Sequence, residues 1–228
     1  MATNRLTPMF RVKGIMFDVD GTLADSVEFF HEIAQEILRL AGAPPADREH
    51  VFAMMRLGDA APMEKLFPPD FPNPSATLKR IVDSRMHGWM QRYHHDTEAI
   101  PGSIELLHDL AAQGFQLGIA TSSGRALPFL DRWGVRHLFA GIIGREDVEH
   151  RKPHPEPIFK CLGYLRLPPQ QALYIGDSLV DIRAGKAANV YTLGVLTGTS
   201  PHDMLHQESP DHILDSVANL RDLLHPIR

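Results

Sequence analysis

Two aspartates stand close together where an apolar stretch of the chain ends. Asp18 closes the run Phe10 to Asp18 (FRVKGIMFD), and Asp20 follows two positions later, just before Gly21. In an extended strand both carboxylates would face the same way, but a turn at Gly21 lets one point into a site and the other swing aside. Such a pair can hold a hard cation such as Mg²⁺, or place a nucleophile beside a proton donor. A turn whose acids cap the next helix is the alternative.

Three further segments place polar or charged side chains where later apolar runs end. Thr121 and Ser122 offer hydroxyls and N–H groups at a predicted helix start, which suits an anion. Lys152 lies in a loop stiffened by prolines, and Asp177 and Asp181 form an acidic pair four residues apart. Taken singly, these segments also fit ordinary helix capping or, for the lysine, a solvated surface side chain.

The apolar runs predict the elements that position these residues. Short continuous runs indicate buried strands, and apolar residues three or four apart indicate helices between them. The predicted strands are Phe10 to Asp18, Phe115 to Thr121, Gly141 to Gly144, Leu173 to Gly176 and Val190 to Val195. The predicted helices between them are Ser103 to Ala112, Arg125 to Trp133 and Pro157 to Leu165. Strands alternating with helices predict right-handed crossovers, and therefore an α/β fold with a Rossmann-like, doubly wound parallel sheet.

A long insertion separates the first predicted strand from the second. Its patterns are helical, over Asp25 to Ala41 and Pro74 to Tyr93, with a proline-rich break at Pro68 to Pro74. We therefore predict an α/β core formed by residues 1–24 and 99–228 and a helical cap formed by residues 25–98. The insertion leaves the sheet at the carboxyl end of a strand, where open α/β sheets bind ligands, so it can act as a lid. The predicted hinges are the connections Leu23 to Ser26 and Ile100 to Ser103.

Composition excludes several classes of protein. The 228 residues include 23 Lys and Arg against 28 Asp and Glu, for a formal net charge of −5, which argues against a nucleic-acid surface. No stretch approaches the roughly 18 apolar residues that cross a bilayer, so no membrane contact is expected. Cys161 is the single cysteine, which rules out an internal disulfide, and a cytoplasmic protein is the default expectation.

The four chemical segments, in this order, strongly resemble the four motifs of the haloacid dehalogenase-like hydrolase superfamily. The resemblance runs from about Phe10 to Val195, and the helical insertion corresponds to that family's cap. It implies that Asp18 is the nucleophile that becomes an aspartyl phosphate. Asp20 would be the general acid for the leaving oxygen and then the base that activates water. Thr121 and the amide of Ser122 would bind phosphate oxygens.

The same resemblance implies a Mg²⁺ cofactor and two supporting residues. Asp18, the backbone carbonyl of Asp20 and Asp177 would hold the cation. Lys152 would neutralise the phosphate and orient Asp18, and Asp181 would position Lys152 or a metal-bound water. This set suits a phosphoryl group in transfer, whose oxygens carry charge that must be offset while the group is held in line.

The branch of the superfamily is indicated by further residues. True dehalogenases lack the second aspartate of the first motif, which is present here as Asp20. The run Asp20 to Ser26 and the segment Arg56-Leu57-Gly58 resemble the phosphoglycolate phosphatase branch, although the second motif reads Thr-Ser-Ser where many members have Thr-Asn-Lys. The resemblance thus implies a phosphatase acting on a small phosphorylated metabolite, as a monomer or homodimer. A phosphomutase of the β-phosphoglucomutase type and a catalytically silent scaffold are the alternatives.

Specificity is expected to rest on the cap, because the core motifs recognise only the phosphoryl group. Arg56 is the main candidate for meeting an anionic leaving group. Other candidate cap residues are Arg48, Lys65, Glu28, His31 and Met55. The pair His94-His95 beside Asp96 resembles a metal site, but an adjacent pair in no defined frame is more often exposed.

Overall fold

The computed structural model describes residues 10–57 and 63–226. Its strands are β1 (Phe10–Val12), β2 (Gly14–Phe17), β3 (Ala24–Asp25), β4 (Glu98–Ala99), β5 (Gln116–Ala120), β6 (Phe139–Ile143), β7 (Ala172–Gly176), β8 (Tyr191–Val195), β9 (His212–Leu214) and β10 (Leu224–Pro226). Its α-helices are α1 (Val27–Ala41), α2 (Arg48–Leu57), α3 (Pro74–Asp96), α4 (Ser103–Ala112), α5 (Phe129–Arg132), α6 (Glu156–Leu165), α7 (Leu179–Ala187) and α8 (His202–Gln207). Short 3₁₀ turns lie between several of these elements.

In the described part of the chain, six of these strands form a sheet in the order β6-β5-β2-β7-β8-β9. Every neighbouring pair is parallel. β2 lies between β5 and β7, so the first motif sits in the interior of the sheet, with the second and fourth motifs on the two strands beside it. The parallel strands therefore bring these motifs to one edge.

Helices cover both faces of the sheet. Ile15 and Phe17 of β2 pack on one face in a cluster with Leu107 of α4. Met16 points to the other face and packs with Ile158 and Cys161 of α6. Alternate side chains of a strand point to opposite faces, so a strand covered on both sides must be apolar throughout, as β2 is. The predicted Rossmann-like, doubly wound α/β fold is confirmed.

The structure differs from the predicted elements at several places. The first run is two strands: β1 pairs with β10 at the margin of the fold, and β2 enters the large sheet. The helix predicted over Arg125 to Trp133 is wrong in its first half, because α5 begins only after Pro128. The backbone N–H of Arg125 donates to Glu146 Oε1 at 2.9 Å, which holds the preceding segment as a loop. β9 and β10 are three residues each, too short for the sequence pattern to reveal.

The insertion consists of α1, α2 and α3 with a 3₁₀ turn at Met63–Leu66. These helices bury an apolar cluster of their own, separate from the two clusters beside the sheet. The chain enters and leaves the insertion through β3 and β4, which pair antiparallel, Ala24 with Ala99 and Asp25 with Glu98. Among the described helices, none has the length and apolar content that crossing a membrane requires.

Candidate active site

The turn after β2 brings the first motif against two other loops. Gly21 has φ of +73°, and a Cβ placed there would lie 2.9 Å from the Cα of Gly198 and 3.0 Å from the side chain of Asp177. Only glycine adopts this conformation without strain and also leaves space for that approach. The loop carrying Asp18 and Asp20 therefore closes on the fourth motif and on the loop after β8.

All of the core residues singled out from the sequence line one cavity of about 110 Å³ at the carboxyl edge of the sheet. These are Asp18, Asp20, Thr121, Ser122, Lys152, Asp177 and Asp181. They reach it from four separate loops because the strand ends of a parallel sheet meet at one edge. The insertion contributes Val27, Phe30 and Met55 to the same cavity, so its wall on that side is apolar.

Lys152 is the cation of this cavity. Its Nζ donates to Asp18 Oδ1 at 2.8 Å and to Asp181 Oδ1 at 2.5 Å, and all three side chains are buried. Burial alone would lower the pKa of Lys152, but the charges of Asp18 and Asp181 outweigh it and the pKa is raised. The lysine is therefore a fixed positive charge beside the carboxylate that the family pattern makes the nucleophile.

Asp18 follows β2 directly, and its backbone N–H donates to the carbonyl of Ile175 on β7 at 2.8 Å. Burial raises the pKa of Asp18 well above its usual value, and the carboxylates of Asp181, Asp177 and Asp20 add to this, while Lys152 opposes it. A buried carboxylate is a nucleophile only when ionised, so the role that the resemblance implies for Asp18 requires positive charge around it.

Asp177 and Asp181 complete an acidic cluster with Asp18. One carboxylate oxygen from each lies within 4.8 Å of the others. Burial, and then the charge of Asp181, raises the pKa of Asp177 to about 7, against the hydrogen bond from the backbone N–H of Thr199 at 2.9 Å. Oxygen ligands of concentrated negative charge are the donor set of a hard cation, so the cluster fits Mg²⁺ in its donor chemistry.

Asp181 also caps a helix, which is the alternative role that its position in the sequence allowed. Its Oδ2 accepts hydrogen bonds from the backbone N–H of Ser178 at 3.1 Å and from the Ser178 hydroxyl at 2.5 Å, in a capping box at the start of α7. Its other oxygen, Oδ1, takes the contact with Lys152. The capping role fixes one oxygen and thereby aims the second at the lysine.

Tyr174 also belongs to the site, although none of the sequence motifs includes it. It lies on β7 with its side chain fully buried, and its hydroxyl donates to the carbonyl of Ala120 at 2.8 Å. Lys152 Nζ lies 3.0 Å from the same hydroxyl, and Asp181 Oδ1 lies 2.9 Å from it. The sequence feature that could have identified it is a tyrosine within a predicted buried strand, because a buried phenol hydroxyl needs a polar partner.

Thr121 and Ser122 follow β5, but no helix begins there. α5 starts at Phe129, so the helix start expected to bind an anion is wrong at this point. Thr121 is buried, and its hydroxyl accepts a hydrogen bond from the backbone N–H of Ser123 at 3.1 Å. The segment is thus a compact turn that holds both residues at the cavity wall.

Asp20 is surrounded by hydroxyl groups. Its Oδ1 accepts hydrogen bonds from Ser26 at 2.6 Å and from Tyr93 at 2.8 Å, and its Oδ2 accepts one from Ser123 at 2.5 Å. Tyr93 and Ser123 did not stand out in the sequence, because no spacing links them to Asp20.

The candidate residues of the insertion are divided between the cavity and other surroundings. Met55 lines the cavity, but Arg56, 3% exposed, donates from Nη1 to the carbonyl of Thr199 at 2.6 Å and from Nη2 to Glu49. Arg56 thus connects α2 to the loop whose backbone holds Asp177. Gly58, the third residue of the segment Arg56-Leu57-Gly58, lies outside the described residues.

The remaining candidates of the insertion do not line this cavity. Arg48 forms an exposed ion pair with Glu28 at 2.6 Å, and His31 lies 3.3 Å from another oxygen of Glu28. Lys65 is exposed. His95 is 88% exposed and pairs with its neighbour Asp96 at 2.8 Å, whereas His94 is half-buried, so only one histidine of the pair is exposed. Neither belongs to a group of three possible metal ligands among the described residues.

Comparison with known proteins agrees with this arrangement. Residues 15–195 match the model of the family described as haloacid dehalogenase-like hydrolase, and the chain belongs to that family. The phosphoglycolate phosphatase of Salmonella typhi is 28% identical over 92% of this chain and 91% of its own. The crystal structure of a predicted phosphoglycolate phosphatase from Haemophilus somnus 129pt superposes with a TM-score of 0.79 at 26% identity, covering 93% of this chain and 97% of that one.

A second solved structure, CbbY from Rhodobacter sphaeroides in complex with phosphate, superposes with a TM-score of 0.70 at 25% identity over 92% of this chain and 96% of that one. The superfamily and its phosphoglycolate phosphatase-like branch, both indicated by the sequence motifs, are therefore confirmed. The protein is an enzyme of the hydrolase class.

Proposed function

We propose that this protein is a Mg²⁺-dependent phosphatase that hydrolyses a small phosphorylated metabolite through an aspartyl phosphate on Asp18. The observation that carries the proposal is the contact of 2.8 Å between Lys152 Nζ and Asp18 Oδ1 inside a cavity that four aspartates line. A carboxylate beside a fixed cation, a second carboxylate nearby and room for a phosphoryl group are what this reaction needs.

The reaction proceeds in two displacements at phosphorus. The Asp18 carboxylate forms a bond to phosphorus as the bond to the leaving oxygen breaks, and Asp20 gives that oxygen its proton. Asp20 then takes a proton from water as the water attacks the aspartyl phosphate, which releases inorganic phosphate and restores Asp18. Lys152, the hydroxyl of Thr121 and the amide of Ser122 bind the phosphoryl oxygens and offset their charge.

Mg²⁺ would be held by Asp18, the backbone carbonyl of Asp20 and Asp177, with Asp181 positioning Lys152 beside them. Bound there, the cation supplies positive charge against the phosphoryl oxygens. The raised pKa of Asp18 and of Asp177 supports this, because both carboxylates are buried with too little positive charge around them.

The insertion is the proposed cap, formed by residues 25–98, on a core formed by residues 1–24 and 99–228. The separate apolar cluster of the insertion and the two-residue pairing of β3 with β4 support rotation at Leu23 to Ser26 and Ile100 to Ser103. Closure would exclude water while phosphorus is transferred. Arg56 would set the seating of this cap and thereby select the leaving group, because it bonds the loop that holds Asp177.

The function is tested by assaying a panel of phosphorylated metabolites, ranked by kcat/KM with Mg²⁺ and with EDTA. We expect phosphate release from small monoesters, phosphoglycolate and sugar phosphates among them, and loss of release when the metal is chelated. Turnover that depends strictly on a sugar bisphosphate would instead identify a phosphomutase. No release from any monoester would leave the silent scaffold as the explanation.

Asp177→Asn is expected to abolish stabilisation by Mg²⁺ and to flatten the dependence of Tm on pH. Burial raises the pKa of Asp177 to about 7 in the folded chain from an ordinary value of 3.8, so between those values the folded state binds more protons than the unfolded state. The free energy of unfolding therefore falls as pH rises through that window, and asparagine removes this contribution. In EDTA the variant should gain stability relative to the parent between about pH 5 and about pH 8.

The measurement is Tm by differential scanning fluorimetry with EDTA and with Mg²⁺ at both pH values. A change of 1 kcal/mol moves Tm by about 2–4 °C for a chain of this length, so shifts of several degrees are expected. Asp203→Asn is the matched control, because its side chain is 97% exposed. A full Mg²⁺ response in Asp177→Asn would show that the cation is held elsewhere.

A further inference from the structure

The two oxygens of Asp20 are held by different parts of the chain. Oδ1 accepts hydrogen bonds from Ser26, the N-cap residue of α1, and from Tyr93 in the last turn of α3. These residues stand at the first and last helices of the insertion. Oδ2 accepts its hydrogen bond from Ser123, in the loop after β5 of the core. The orientation of this carboxyl group therefore depends on where the insertion lies relative to the sheet.

The packing around the Tyr93 side chain holds it in place. Its side chain is 2% exposed, and its ring lies 5.7 Å from that of Phe29, 5.6 Å from that of Phe30 and 5.5 Å from that of Phe129. Although it lies on α3, it packs in the apolar cluster that α4 forms with the sheet, not in the cluster of the insertion. It therefore anchors the end of the insertion to the core.

The hydroxyl of Tyr93 also keeps its proton. Burial, and then the charge of Asp20, raises the pKa of Tyr93 well above its usual value. A phenol or serine hydroxyl can donate and accept, so the three contacts of Asp20 can persist whether the carboxyl group is ionised or protonated. The same three contacts can therefore hold the carboxyl group of Asp20 when it donates a proton to the leaving oxygen and when it later accepts one from water.

We propose that Tyr93 is a positioning residue for Asp20, which aims its carboxyl group at the leaving oxygen when the insertion is seated on the core. The proposal rests on the proposed function, in which Asp20 is the general acid. Proton transfer requires the two heavy atoms to come within about 2.6–3.2 Å of each other. Without the Tyr93 hydroxyl, Oδ1 keeps only the hydrogen bond from Ser26, and a displacement of the carboxyl group by about 1 Å can cost on the order of 10²-fold in rate.

The test is Tyr93→Phe, which keeps the ring and removes only the hydroxyl. The rates to measure are kcat and kcat/KM for a series of phosphate monoesters whose leaving groups run from p-nitrophenol to simple alkyl alcohols. A nitrophenolate leaves with little protonation, whereas an alkoxide needs a proton, so only the alkyl esters depend strongly on a correctly aimed acid. We expect kcat/KM to fall about tenfold or more for alkyl esters and less than about twofold for p-nitrophenyl phosphate, because kcat/KM does not include the later hydrolysis step that all esters share.

Two further variants sharpen the comparison. Tyr164→Phe removes a phenol hydroxyl from a side chain that is 60% exposed, and it should leave all rates unchanged. Asp20→Asn removes the acid itself and should show a still larger difference between alkyl and nitrophenyl esters. In Asp20→Asn, adding Tyr93→Phe should have little further effect, because residues that act through one group are not additive.

The outcomes separate the inference from the function on which it rests. A parent enzyme that releases no phosphate from any ester would overturn both. An active parent whose Tyr93→Phe variant loses kcat/KM equally on every ester would show that Tyr93 only stabilises the fold, and an unchanged kcat/KM on alkyl esters would show that the hydroxyl has no role. A loss confined to poor leaving groups, with a Tm near that of the parent, supports the positioning role.

Discussion

Asp18→Asn is expected to lower kcat by at least about 10³-fold while the protein stays folded, because it removes the oxygen that attacks phosphorus. The side chain keeps its size. Asparagine also relieves the repulsion among buried acids, since the carboxylates of Asp181, Asp177 and Asp20 all raise the pKa of Asp18. The Tm should therefore be close to that of the parent or above it in metal-free buffer.

The measurement combines steady-state phosphate release with trapping of the phosphorylated enzyme. Quenching the parent during turnover and analysing the intact protein by mass spectrometry should reveal the added phosphoryl group, and Asp18→Asn should show none. Asp215→Asn is a suitable control, since this aspartate lies outside the cavity. Substantial turnover by Asp18→Asn would remove Asp18 as the nucleophile and with it the proposed mechanism.

Lys152→Met is expected to abolish turnover and also to destabilise the fold. The lysine is the cation that bonds both Asp18 and Asp181, and all three groups are buried. Removing one partner from a buried ion pair costs about 3–5 kcal/mol, which corresponds to a fall in Tm of about 10 °C for a chain of this length. Asp18→Asn should leave Tm close to that of the parent, because Lys152 keeps its contact with Asp181. The fall in Tm therefore distinguishes Lys152→Met from Asp18→Asn.

The destabilisation by Lys152→Met should grow with pH. Burial already raises the pKa of Asp18, and Lys152 is the group that opposes the rise, so the variant has a still higher folded-state pKa at Asp18. A carboxyl pKa raised by folding costs stability as pH increases above the unfolded value. Chemical unfolding at about pH 5 and about pH 8 measures the difference. A free energy of unfolding that falls equally at both values would contradict this account.

A double variant tests the physical cause. Adding Asp181→Asn to Lys152→Met removes one of the two carboxylates left without a cation, and should recover part of the lost stability but none of the activity. Asn keeps an oxygen that can accept the hydrogen bonds of Ser178 at the start of α7. No recovery would mean that the lysine stabilises the fold by packing alone.

The core site could be read from the sequence because its signals are local. Asp18, Thr121, Lys152 and Asp177 each stand where a short apolar run ends or in the loop that follows, and the strands predicted from those runs exist. Parallel strands put their carboxyl ends on one edge, so placing the residues together required only the alternation of strands and helices. The family resemblance added the roles.

What the sequence missed depends on contacts between distant parts of the chain. Tyr93 lies 73 positions from Asp20, and Tyr174 lies 22 positions from Lys152, so no periodicity connects either pair. The environment of Arg56 is a similar case, because its partner Thr199 stands 143 positions away. The late start of α5 is different, because Pro128 is a local signal: it stands directly before the first helical residue, and a proline is poorly tolerated inside a helix.

The sequence by itself therefore determined the family, the fold class and which residues of the core meet in one cavity, because these follow from local patterns and their order. Only the tertiary structure decided how those residues act on one another. Burial raises the pKa of Asp18, two carboxylates share Lys152, and the two ends of the insertion hold one oxygen of Asp20. The physical reason is that charge interactions and hydrogen bonds depend on the distance between atoms and on their burial in the folded chain. Neither quantity follows from the number of residues that separate two side chains in the sequence.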